Sequence, residues 1–93
     1  MLYLLYMAAQ ETTWKDVLDA LRVLAGIDDI RNGFMLKIET DEGVYYLQSI
    51  GYSTFRLYGD YVDYEFEAET LEQIAKEIYE TLKDEKIKRI TVI

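Results

Sequence analysis

Every second residue on either side of Gly59-Asp60 is apolar. Phe55 and Leu57 precede the loop and Val62, Tyr64 and Phe66 follow it, while Arg56, Asp63, Glu65 and Glu67 fill the positions between. A period of two sends alternate side chains to opposite faces of a strand. The segment therefore predicts two half-buried antiparallel strands, 53–58 and 61–67, joined by a two-residue loop with glycine first, as a type II′ turn prefers. Folding about that loop sets Leu57 opposite Val62, Phe55 opposite Tyr64, Tyr58 opposite Tyr61 and Arg56 opposite Asp63.

A half-buried hairpin needs a covering layer, and two stretches of helical period supply it. Trp14, Val17, Leu18, Leu21, Leu24 and Ala25 recur at spacings of three and four, which places them on one stripe of a helix. Thr13 and Asp16 suit its first turn, and Gly26 is expected to end it in the left-handed conformation. A second helix, about 70–83, carries Leu71, Ile74, Ala75, Ile78 and Leu82 on one face. Thr70 and Gln73 have capping-box spacing, and Lys83 favours the helix C-terminus.

Four further strands complete the pattern. Residues 34–39 and 44–50 flank Asp41-Glu42-Gly43, and counting back from that loop pairs Thr40 with Val44, Ile38 with Tyr46 and Leu36 with Gln48. Large side chains on both faces of 44–50 leave this register loosely specified. Residues 87–93 are apolar on both sides, as in a central or parallel strand. The apolar opening block, residues 1–9, is expected to be a buried strand. It is too short for a bilayer, which needs about 20 apolar residues, and it lacks the basic flank of a signal peptide. The fold class expected is α+β: a two-layer sandwich, mainly antiparallel or mixed, with both helices on one face, in the order β-α-β-β-β-β-α-β. At 93 residues, with no linker or repeat, the chain is expected to be one domain, 1–93.

Composition narrows the chemistry. The chain has no histidine and no cysteine, which removes zinc-finger ligation, disulfides, a thiol nucleophile and a Ser-His-Asp triad. Its five glycines punctuate turns and form neither GxGxxG nor GxxxxGK[ST]. The short acidic loops, Asp28-Asp29 and Asp41-Glu42-Gly43, fall short of an EF-hand. A glycosidase-like carboxylate pair could draw on Asp60, Asp63, Glu65 and Glu67, but the last three alternate onto one solvated face. The expectation is a protein without catalytic, cofactor-binding or metal-binding residues, and not an enzyme.

Charge supplies the functional direction. Eighteen acids oppose ten bases, a net charge of -8, which repels nucleic acid and anionic lipid. Within residues 60–80, eight acids meet one base, Lys76. Tyrosine adds rigid apolar area with a polar tip. Tyr61, Asp63, Glu65, Glu67, Glu69 and Glu72 are the candidate partner-binding residues. The function expected is a small cytoplasmic interaction module engaging a basic protein partner, in its most concrete form an inhibitor that mimics nucleic-acid phosphate charge. The alternative is a homo-oligomerising structural or accessory protein, a homodimer paired through its first and last strands.

Overall fold

The two amphipathic stretches form the helices that their periodicity predicts. In the computed structural model, which describes residues 2–3 as backbone and residues 13–93 in full, α1 spans Trp14–Leu24 and α3 spans Leu71–Thr81. The Asp16 carboxylate accepts the Thr13 N–H at 2.9 Å. Thr70 Oγ1 accepts the Gln73 N–H at 3.2 Å, and Gln73 Oε1 reaches back to the Glu69 N–H at 2.6 Å. These bonds satisfy donors that the first helical turn leaves unpaired. Lys83 lies beyond the end of α3 and approaches Glu80 at 3.8 Å.

Gly26 departs from expectation. Its backbone is extended (φ -81°, ψ 172°), and it caps the start of an additional short helix, α2 (Ile27–Arg31), by donating its N–H to Asp29 Oδ2 at 2.8 Å. The left-handed exit occurs seven residues later, at Gly33 (φ 115°), whose N–H bonds Ile30 O at 3.1 Å. A residue with a Cβ is strained in that region, so glycine suits the end of α2. Burial of Ile30 anchors this helix in the core.

The strands are β1 (Leu2–Tyr3), β2 (Leu36–Thr40), β3 (Val44–Ser49), β4 (Thr54–Gly59), β5 (Asp63–Glu67) and β6 (Ile87–Val92). They form one sheet in the order β1-β6-β2-β3-β4-β5, antiparallel at every neighbouring pair. The fold is thus α+β with an antiparallel sheet and both long helices on one face, in the expected chain order. Of the opening block, Leu2–Tyr3 pairs with β6; the remainder of that expectation lies outside the described residues. Strand β6 is interior and antiparallel on both sides. A register shift at Glu39/Thr40 lets both Ile87 and Ile90 reach the core, which accounts for apolar positions that strict alternation would divide between faces.

Both hairpin registers differ from expectation, with opposite consequences. In the first, Leu36 faces Leu47, Ile38 faces Tyr45 and Glu39 faces Val44, one residue from the expected pairing. A one-residue slip exchanges the faces, so Tyr45 and Leu47, rather than Tyr46 and Gln48, enter the core. The cause is the loop. Thr40 N–H bonds Gly43 O at 2.9 Å, and Thr40 Oγ1 accepts the N–H groups of Glu42 and Gly43 at 3.0 Å each. In the second, Leu57 faces Tyr64 and Phe55 faces Phe66, two residues from expectation, because Gly59 N–H bonds Val62 O at 2.8 Å around a longer loop. A shift of two preserves the faces. Phe55, Leu57 and Phe66 are buried and Val62 packs against the core, but Tyr64 remains 41% exposed.

Between sheet and helices lies one apolar cluster in which Leu36, Ile38, Leu47, Leu57, Ile74, Ile78 and Ile90 are fully buried. Each such side chain contributes about 1.5–3 kcal/mol of transfer free energy. Trp14 packs at its margin, with Lys76 Nζ 4.5 Å from the ring centre. Among the described residues, no long helix lies on the opposite face of the sheet. No helix among the described residues is long and apolar enough to cross a membrane.

Candidate functional site

The sheet order leaves β5 as an edge, because β4 occupies one side and no other described strand pairs with it. Which backbone groups face outward follows from two bonds. Gly59 N–H to Val62 O, at 2.8 Å, and Ala68 N–H to Ser53 O, at 2.9 Å, set the phase of the β4–β5 ladder. In an antiparallel pair this phase alternates, so Val62, Tyr64, Phe66 and Ala68 direct their peptide groups toward β4. The N–H and C=O groups of Asp63, Glu65 and Glu67 point away from the sheet.

The same three residues carry carboxylates on the helix-free face, opposite Tyr58, Arg56 and Thr54 respectively. They are not electrostatically equivalent. Arg56 makes a bidentate pair with Asp63, Nε to Oδ1 at 2.9 Å and Nη2 to Oδ2 at 3.0 Å. That guanidinium holds the Asp63 carboxyl below its ordinary range, and the carboxylate in turn holds Arg56 more firmly protonated. Arg56 also lies over the Tyr58 ring, 4.2 Å from its centre, and Tyr58 neighbours Tyr46 at 5.7 Å. Further into the sheet Glu39 and Arg89 neutralise each other. Glu65 and Glu67 make no salt bridge among the described residues, although Glu65 lies directly opposite Arg56 and adds to the charge acting on it.

On the helix side of the edge, the Tyr64 ring stacks on Phe66 at 5.8 Å, and Phe66 on Phe55 at 5.9 Å. The charge of the nearby Glu77, on α3, raises the Tyr64 hydroxyl above its ordinary pKa. An open cleft of about 470 Å³ wraps the edge, lined by Thr54, Tyr64, Glu65, Phe66, Glu67 and Glu77. It joins the carboxylates of the free face to the aromatic ring and acid of the helix face.

Of the six residues singled out from sequence, Asp63, Glu65 and Glu67 share this edge. Glu69 and Glu72 are exposed beyond its far end, where Glu72 lies in the first turn of α3. Tyr61 is 72% exposed in the β4–β5 loop at the near end, about 25 Å from Glu69 along an extended chain. The strand thus separates Tyr61 from the last two acids. Asp60 is structural: its Oδ2 accepts the Val44 N–H at 3.0 Å and ties two loops together. Lys76, the base within the acidic segment, is directed onto Trp14. Sequence reasoning missed Tyr64 and Glu77 as members of the site. Glu77 lies one turn after Ile74, beside the buried stripe of its helix, but its approach to β5 depends on packing.

The arrangement suits recognition of positive charge and of an extended backbone. Asp63 is held ionised by Arg56, which favours an ion pair over proton donation. Among the described residues, no group of three or more acidic side chains is placed to hold a metal ion. Compared with known proteins, the chain matches no protein-family model, no curated protein and no solved structure.

Proposed function

We propose that the chain is a non-catalytic protein-interaction module that engages a basic protein partner through the acidic edge at β5. The observation that carries this reading is the contrast along one sheet face: Glu39 is paired with Arg89 and Asp63 with Arg56, whereas Glu65 and Glu67 make no salt bridge among the described residues. Glu77 adds charge from the helix side of the same edge. Carboxylates without salt-bridge partners on a rigid strand attract cationic surfaces and accelerate their encounter. Where the partner is itself a nucleic-acid-binding protein, the same charge competes with phosphate for its basic groove.

The test is affinity capture at low and high salt, followed by titration of the captured basic protein against charge variants. Glu65→Gln with Glu67→Gln weakens binding and flattens its salt dependence. Arg56→Gln releases the Asp63 carboxylate and strengthens it. Unchanged affinity across both variants and across salt overturns the proposal.

A further inference from the structure

The β5 edge offers more than charge. The three residues whose carboxylates lie on the free face, Asp63, Glu65 and Glu67, are also those whose backbone N–H and C=O groups point out of the sheet, by the phase of the β4–β5 bonds. A row of unpaired peptide groups is a template for another strand. We propose that this edge takes up an extended basic segment of the partner as an added antiparallel or parallel strand; the inference rests on the proposed function and specifies its binding mode.

Alternation dictates what such a segment contains. Side chains of the added strand on the free face stand beside Glu65 and Glu67, and lysine or arginine there meets carboxylates about 6–7 Å apart along the strand. Those on the opposite face stand beside Tyr64 and Phe66, where the cleft has room for an aliphatic or aromatic side chain. A basic-apolar alternating sequence satisfies both. A second copy of β5 does not, since pairing two such edges sets acid against acid, which is destabilising for directly opposed like charges.

The experiment uses the full chain labelled with ¹⁵N and a ten-residue peptide alternating lysine and valine. Its comparison is the same peptide N-methylated at alternate residues, so that charge and side chains are kept and the backbone donors facing the edge are removed. The parent peptide is expected to slow amide exchange at Asp63, Glu65 and Glu67 at least about tenfold, and to bind at least about tenfold more tightly than the methylated one. A protein variant provides an independent arm. Glu65→Pro removes an outward-facing donor without touching a β4 bond, whereas Glu65→Gln removes the same charge and keeps the donor; the proline variant is expected to bind more weakly than the glutamine one.

Equal binding of the two peptides, with shared salt dependence, overturns strand addition while leaving electrostatic recruitment in place. Failure of both peptides to bind at low salt overturns strand addition and the electrostatic reading together. Protection of the Asp63, Glu65 and Glu67 amides in the free protein shows the edge already covered by the chain itself or by a second copy, and also overturns it.

Discussion

The Tyr45 hydroxyl donates to Glu85 across forty residues of sequence, with its oxygen 2.9 and 2.8 Å from the two carboxylate oxygens. The tyrosine is fully buried in the core, and Glu85 sits in the connection from α3 to β6. Thr40 Oγ1 shares the same carboxylate at 2.6 Å, and Asp41 and Lys86 exchange two further bonds at 3.0 and 2.9 Å. The β2–β3 turn is thereby fastened to the strand that β2 must pair with. A buried hydroxyl satisfied by a carboxylate is worth more than a neutral pair, because the acceptor is charged.

Burial, foremost, and then the adjoining Glu85 carboxylate push the Tyr45 hydroxyl above its ordinary pKa. Its contribution to stability is complete below about pH 10, the unfolded value, and is lost as pH climbs toward the higher folded value. Tyr45→Phe costs about 2 kcal/mol at pH 8. Above pH 10 its deficit relative to the parent narrows by about 1.4 kcal/mol per pH unit. Urea unfolding of both proteins between pH 8 and 11 checks this, and a constant gap contradicts it.

Gly59 faces Tyr45 across the β3–β4 pair. A Cβ built on Gly59 would lie 2.2 Å from Val44 O and 2.8 Å from Tyr45 Cα. These are backbone atoms, which cannot rotate away. Gly59→Ala is expected to destabilise the fold by about 3 kcal/mol, whereas Gly26→Ala, whose Cβ would come no nearer than 3.6 Å to Asp29 Oδ2, is expected to be mild. Thermal denaturation of the two variants separates close backbone approach from a general intolerance of substitution.

Register in the first hairpin is testable with adjacent residues. Leu47 is fully buried, while Gln48 points to the helix-free face opposite Arg56. Leu47→Ala is expected to cost about 2–5 kcal/mol and Gln48→Ala within about 0.5 kcal/mol. The reverse order in chemical denaturation would favour the slipped register, in which Gln48 faces Leu36.

Local rules served well where one short stretch of chain carried the whole signal. The stripes of α1 and α3 and the cap at Thr70 follow from spacing alone. The second hairpin kept its faces despite a two-residue error, because parity survives an even shift; Arg56 and Asp63 still meet, diagonally rather than directly opposite. The first hairpin did not have that protection. Tyr45-Tyr46 and Leu47-Gln48 offer large side chains on either face, and the choice between them was made by Thr40 bonding across its own loop and by Glu85 receiving the buried hydroxyl.

The candidate site divides in the same way. That Asp63, Glu65 and Glu67 share a face is a property of strand periodicity and was present in the chain from the start. That Asp63 is neutralised, that Glu77 approaches from α3, and that the backbone of β5 faces outward all depend on position in the sheet. Strand order arises from long-range pairing: β6 inserts between β1 and β2, β4 covers only one side of β5, and no local propensity encodes either choice. Alternation along the chain thus decides which residues share a face. The sheet order, decided only when distant strands pair and bury a common core, determines which of those faces and edges remain for a partner.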